Sequence, residues 1–286
     1  MKTKTAIRCR VGRIRYTNTL PFYHGLESRL SGEGLELEWT KGSPAEINAK
    51  IREGEIDVAP ISSLEYLQNQ EKYLIFPKLC IGSRDFSASV LLLSKEKIEG
   101  LDGSLVSLSE ESLSAAALLR ILLKFKFRFE NQFRRDPSNP GEMLAKAKAC
   151  LVIGDEALFF HPDVFVYKTD LSELWWEWTH LPFCFSVWAV RRSYYREHQD
   201  EVRLFYRRLK FNLEKNLQDL EKLLREGLGL TLSSEKFPTV FGYLFNLNYG
   251  LDQAMLEGLK LFFDYAQRLG IAPRPGKLEF AEACLR

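Results

Sequence analysis

Four short stretches carry most of the side chains with chemistry to offer: Thr17-Asn18-Thr19, Pro60 to Ser63, Ser109 to Ser114, and Gly154-Asp155. Each reads as a turn from a strand into a helix, and together they are richer in amides and hydroxyls than in charges. The first N–H groups of a helix lack partners within the helix and carry partial positive charge. Neutral donors placed beside such ends suit a small anionic ligand. Thr19, Ser62, Ser63, Ser112, Ser114 and Asp155 are therefore candidate binding residues, although the serines and Asp155 serve equally well as helix caps.

Other chemistries leave no trace. There is no G-x-G-x-x-G after a strand and no G-x-x-x-x-G-K-[ST], so neither a dinucleotide fold nor a phosphate loop is signalled. His24, His161, His180 and His198 are scattered, and no Cys-x-x-Cys occurs, so no metal is implied. No organic cofactor is implied either. The G-x-S-x-G elbow of the α/β-hydrolases is missing. The residues alone describe a two-lobed binder of a small carboxylate or a similar molecule.

The elements that must position these turns follow from periodicity. Strands are expected at Val11 to Tyr16, Leu35 to Trp39, Ile56 to Ala59 (closed by Pro60), Ser89 to Ser94, Leu105 to Leu108, Cys150 to Ile153 and Phe183 to Val190. Ser43-Pro44-Ala45-Glu46 is a capping box with proline at the first helical position. Helices are expected over Ala115 to Lys124, Met143 to Ala149 and Leu171 to Trp178, with Asn131 to Gly141 a loop between. Phe125, Phe127 and Phe129 alternate with Lys124, Lys126 and Arg128, as on a half-buried strand with a basic outer face. Apolar residues from Val202 to Leu224, and from Leu256 to Ala266 after a possible Asp252 cap, fall at helical spacing. Trp175, Trp176, Trp178 and Trp188 read as packing residues. Strands alternating with helices predict an α/β fold with mostly parallel sheets, in two lobes with a cleft between.

Composition narrows the function classes. The chain has 286 residues, 40 Lys plus Arg and 38 Asp plus Glu, a formal charge of +2. Such balance does not suit a surface that coats nucleic acid or an anionic membrane, so neither partner is expected. No apolar run approaches the roughly 20 residues that span a bilayer. The basic start Met1-Lys2-Thr3-Lys4-Thr5 runs into Arg8 and Arg10 without the apolar stretch of a secretory signal. Five widely spaced cysteines read as reduced structural thiols, and the expected compartment is the cytoplasm.

Several segments resemble one family. Val11-Gly12-Arg13-Ile14-Arg15-Tyr16-Thr17-Asn18-Thr19-Leu20-Pro21 is similar to the opening "VG-x-I-x-(aromatic)-x-N-x-LP" of the MqnA family, the chorismate dehydratases of menaquinone biosynthesis. Ser43 to Asn48, Gly54 to Tyr66, Ser89 to Ser94, Leu151 to Leu158 and Trp175 to Ala189 resemble its later motifs in order. The resemblance implies a type II periplasmic-binding-protein fold. One lobe would comprise residues 1–95 and 191–286, with the C-terminal helices returning to it, and an inserted lobe residues 96–190. The chain would cross near Ser94–Ile98 and Val190–Ser193. It implies loss of water from chorismate, giving 3-[(1-carboxyvinyl)oxy]benzoate. The family pattern assigns Asn18 to orienting the ring substituents and Ser89 to a hydrogen bond with the leaving hydroxyl or a carboxylate. Neither is a good base, so the enolpyruvyl carboxylate of the substrate is the candidate proton acceptor. Two departures stand out: Glu110 and Glu111 interrupt a serine/threonine-rich stretch, and must face solvent to spare an anion site, while His180 replaces a glycine. The rivals are the sister 1,4-dihydroxy-6-naphthoate synthase, whose opening motif differs, and a solute-binding or ligand-sensing clamshell without activity.

Overall fold

The computed structural model describes residues 7–30, 33–161, 165–229 and 233–285. The basic start that bears on secretion lies outside them. Eleven strands form two sheets among the described residues. The first is built from β1 (Ile7–Ile14), β2 (Leu35–Gly42), β3 (Val58–Ser62), β4 (Tyr73–Ser83), β10 (Phe183–Arg191) and β11 (Leu247–Asn248), in the order β11-β4-β10-β3-β1-β2. The second holds β5 (Val90–Ser94), β6 (Leu105–Ser109), β7 (Gln132–Asp136), β8 (Ala149–Ile153) and β9 (Tyr167–Asp170), in the order β7-β6-β8-β5-β9.

Both sheets are mixed, not mostly parallel. β1 runs parallel to β2 and β3, and β6 parallel to β7 and β8, as strand–helix–strand units require. β5 and β10 run antiparallel to their neighbours. Each is the first strand after the chain has passed from one sheet to the other, so no crossover helix on the same sheet dictates its direction. Their memberships also move the two crossings. β5 belongs to the second sheet and β10 to the first, so the chain passes between sheets over residues 84–89 and 180–182, not at Ser94–Ile98 and Val190–Ser193.

The local signals act as their chemistry demands. The Ser43 hydroxyl accepts from Glu46 N at 3.3 Å, and Ser43 N donates to the Glu46 carboxylate at 2.7 Å. This box opens the helix Pro44–Glu53, which Gly54 ends with a φ of 88°. Asp252 caps the helix Gln253–Arg268 through Met255 N, at 2.9 Å. Leu259, Phe263 and Ala266 on that helix are buried. Gly258 lets it lie directly on backbone: a Cβ there would stand 2.0 Å from the Pro182 carbonyl oxygen. The helix Gln199–Gln218 covers the first sheet's other side, its Phe205 and Leu209 fully buried beside Phe76 and Trp188. Further along, Ile75 of β4 exchanges backbone bonds with Glu279 and Ala281. The C-terminal segment thus returns to the first sheet.

Four features depart from the sequence pattern for physical reasons. β4, the longest strand, escapes the alternation test because it is buried almost throughout and broken by Pro77. Its pairing with β10 jumps from Cys80 to Ile75, and Lys78 in the gap has a φ of 60°, so the proline sits in a bulge that needs no N–H. Pro60 does not close β3: the strand runs on to Ser62 with Pro60 opposite Trp188 of β10, while pairing with β1 stops at Val58. The Phe125–Phe129 run is not a strand. The helix Ser114–Ile121 continues into a wide turn over Leu122–Lys126, and Phe125 packs on Tyr265 with ring centres 5.1 Å apart. Residues 132–136, expected as loop, form edge strand β7, paired on one side only.

Charge is buried where it is fully paired. Asp57 accepts from Arg10 N and Nε at 3.0 Å each, from Arg10 Nη2 at 2.6 Å and from Arg191 Nη2 at 2.6 Å. Burial disfavours its charge, but these donors prevail and hold its carboxyl below the usual 3.8. Because the folded-state value is the lower one, this stabilisation is present above pH 3.8 and fades as pH falls through the folded value. Asp57→Asn is therefore expected to cost about 2 kcal/mol at pH 7, less than a fully buried pair because both guanidiniums reach solvent. In urea melts the gap between variant and parent should close as pH drops below 3.8. At the second crossing His180 ends the helix Leu171–Thr179 with a φ of 55°, the left-handed conformation a glycine would adopt without strain. His180→Gly is expected to raise stability by about 0.5–1 kcal/mol, read as an upward shift in the melting temperature.

Candidate functional site

The cleft between the sheets is a cavity floored by strand ends and helix starts. From the first lobe come Ile14 at the end of β1, Tyr16 and Asn18 after it, Pro44, Ser62 at the end of β3, Ile81 of β4, Phe185 and Ser186 of β10, and Leu247. From the second come Ser89 and Val90, the turn Glu111 to Ala115, Ile153 and Gly154. The helices Pro44–Glu53 and Ser114–Ile121 begin at this cavity, each adding roughly half a positive charge at its N-terminus. Among the described residues no lysine or arginine lines it.

Asn18, Ser62, Ser89, Ser112 and Ser114 thus meet at one cavity, though they are as many as 96 residues apart. Asn18 leaves its Oδ1 buried without a partner, while its backbone oxygen accepts from the Tyr249 hydroxyl at 2.9 Å. Ser89 is 3% exposed, and its carbonyl accepts from Gly154 N at 2.8 Å, which extends the β5–β8 ladder into the cavity wall. Ser62 caps the helix Ser63–Gln68 by accepting from Glu65 N and also accepts from Asn48 Nδ2 at 3.2 Å. Its own O–H remains to donate. Ser112 Oγ accepts from Ala116 N at 3.0 Å. Ser114 Oγ accepts from Leu64 N at 3.1 Å, a bond from one lobe to the other.

Three candidates lie outside the cavity lining. The Thr19 hydroxyl donates to the carbonyls of Ile14 and Tyr16 at 2.9 and 2.8 Å, which folds the turn after β1. Ser63 Oγ donates to the Cys184 carbonyl at 2.6 Å within the first lobe. Asp155 accepts from Thr17 N at 3.2 Å and from Thr17 Oγ1 at 3.0 Å, and so fastens the second lobe to the first. None of the four tryptophans read as packing residues lines the cavity; Trp175 and Trp188 are fully buried.

The structure adds residues that spacing did not single out. Glu110 faces solvent, but Glu111 does not. Glu111 lines the cavity, pairs with Arg15 at 2.5 Å and accepts from the Tyr16 hydroxyl, so its charge is spent on holding the lobes together. Burial raises the Tyr16 hydroxyl far above its ordinary value, and the Glu111 carboxylate adds to the shift. Burial likewise raises Asp155, against the Thr17 donors, and Glu156, which also feels Glu111 and Asp155. Gly154 has a φ of 65°, and a Cβ on it would meet the Tyr16 ring at 2.8 Å. Tyr16 and Gly154 therefore close against each other across the cleft. Ser186 joins the lining through the alternation of β10, a pattern legible only once β10 is known to belong to the first sheet.

Among the described residues no cluster of His, Cys, Asp and Glu is arranged to hold a metal ion, and no helix is long and apolar enough to cross a membrane. All five cysteines are buried and free.

Known proteins agree with this architecture. A protein of Archaeoglobus fulgidus, 19% identical, superposes with a TM-score of 0.72 over 92% of this chain and 98% of its own. The periplasmic aliphatic sulphonate binding protein of Escherichia coli is 13% identical and superposes with a TM-score of 0.66, covering 98% and 99%. The ligand-binding component of an ABC-type import system from Staphylococcus aureus, 11% identical, reaches 0.70 over 98% of both chains. These likenesses establish the periplasmic-binding-protein fold. By sequence, the chorismate dehydratase of Thermus thermophilus is 31% identical over 290 aligned positions, covering 93% of this chain and 96% of the relative. A family model described as menaquinone biosynthesis matches residues 9–268. With that match spanning both lobes and most of the helical tail, the chain belongs to the menaquinone-biosynthesis family.

Proposed function

We propose that this chain is a chorismate dehydratase, converting chorismate to 3-[(1-carboxyvinyl)oxy]benzoate and water. The observation that carries the proposal is the 31% identity, over 93% of the chain, to a protein of that activity. The cavity is suited to the task. Aromatisation supplies the driving force, so the protein has chiefly to orient the substrate and exclude water. Two carboxylates need donors; serine hydroxyls and two helix starts face the space. Glu111, the one carboxylate among the described residues of the lining, is engaged by Arg15 and Tyr16.

In this reading Asn18 orients the ring substituents, and Ser89 donates to the C4 hydroxyl as it leaves. Ser62, Ser112 and Ser114 line the carboxylate ends. With no free base in the lining, the enolpyruvyl carboxylate takes the ring proton, and that proton and the C4 hydroxyl leave as water. The two domains are best divided at the observed crossings, residues 84–89 and 180–182. We assign the reaction to the cytoplasm, on the strength of five free thiols.

Purified protein mixed with chorismate should produce an aromatic product of the mass of chorismate less water, followed by absorbance and mass spectrometry. Tight binding without that product would leave the non-catalytic clamshell as the better description. Asn18→Ala and Ser89→Ala are each expected to lower kcat by about 100-fold, the size seen when one preorganised donor is lost, with KM changed much less. Gly154→Ala should hold the lobes apart through Tyr16 and raise KM by about tenfold, equivalent to roughly 1.4 kcal/mol, in steady-state assays.

A further inference from the structure

Behind the two residues given to the reaction stands a third side chain, from a distant part of the chain. Tyr243 lies on the helix Phe237–Asn246, which packs against the turn Thr17–Thr19. It is 2% exposed and does not line the cavity itself. Its hydroxyl lies beside the side chains of both Ser89 and Asn18. It makes no aligned hydrogen bond to either, and no other group takes it. The Asn18 Oδ1 is likewise buried without a partner.

A buried hydroxyl and a buried amide oxygen on adjoining elements, both unsatisfied, are costly in a folded protein, and such exceptions need an explanation. The ordinary solution would be a phenylalanine at 243, equally apolar on the ring and free of the orphan hydroxyl. Burial also keeps the phenol protonated, well above its usual range, so it is available as a donor at every working pH.

We propose that Tyr243 is a positioning residue, its hydroxyl donating to Asn18 Oδ1 when substrate fills the cavity and so turning the Asn18 NH2 toward the ring. Asn18 is thereby set by one ring from the C-terminal helices, on an element that packs against the turn after β1. The inference rests on the dehydratase reading, because it is stated for that reaction.

The test is Tyr243→Phe, alone and combined with Asn18→Ala, with chorismate turnover of the parent protein as the control. The expected result is a kcat about tenfold lower with KM within twofold, and a melting temperature unchanged or higher, since the variant deletes an unsatisfied group. In the Asn18→Ala background the same change should have no further effect on kcat, because its target is gone. A Tyr243→Phe kcat equal to that of the parent overturns the proposal. So does an equal loss in both backgrounds with a lowered melting temperature, which marks a packing role. A parent protein that leaves chorismate intact overturns the dehydratase reading first, and this proposal with it.

Discussion

One buried carboxylate fastens the point at which the chain changes lobes. Asp170, 3% exposed at the end of β9, accepts from Ser87 N at 3.1 Å, Ala88 N at 2.7 Å and Ser87 Oγ at 2.9 Å. Its other oxygen accepts from Ser172 N at 2.8 Å and so starts the helix Leu171–Thr179, which leads to the second crossing. One side chain thus ties the outgoing crossing to the element that begins the return. Ala88 there has a φ of 59°, a strained conformation held by these bonds. Burial pushes the Asp170 carboxyl up, and the donors around it pull the other way. Without them a desolvated charge would stand between the lobes. Ser89 is the next residue, so its place in the cleft depends on this anchor.

The same division of labour runs through the cleft. Carboxylates at the lobe boundary are engaged in joining protein to protein: Asp155 with Thr17, Glu111 with Arg15 and Tyr16. What remains facing the ligand space is neutral, apart from the helix ends. This arrangement accounts for a chain with a formal charge of only +2 acting on a small anion. Recognition of a compact dicarboxylate needs a few donors whose positions are preset in a dry cavity, and fixed dipoles there act more strongly than mobile surface charge.

Local signals were legible wherever the physics was local. The capping box at Ser43 and Glu46 and the Asp252 cap depend on residues three positions apart, and both form. The apolar run Val90 to Leu93 is a strand covered on both faces, as its composition requires. β4 was hidden because a strand covered on both sides has no alternation and because Pro77 reads as a stop until the bulge is seen. Phe125, Phe127 and Phe129 showed a period of two without a strand: Phe125 packs on Tyr265 of a neighbouring helix, and Phe127 on Phe129. Thr19, Ser63 and Asp155 are of the right type and in the right turns, yet their hydrogen bonds go to the protein itself.

By itself, then, the sequence determined the α/β class, the strand-to-helix turns that carry the site, and the family to which the ordered motifs belong. These rest on periodicity, caps and short motifs, all interactions within a few residues. Tertiary structure alone decided which strands share a sheet, where the chain changes lobes, and which polar groups keep hydrogen bonds to spare. Those outcomes depend on partners far away in the chain: Asp170 for Ser87, Arg15 for Glu111, Tyr243 beside Asn18. A hydroxyl's role is set by whichever donor or acceptor packing brings within about 3 Å of it, and residue type does not encode that distance.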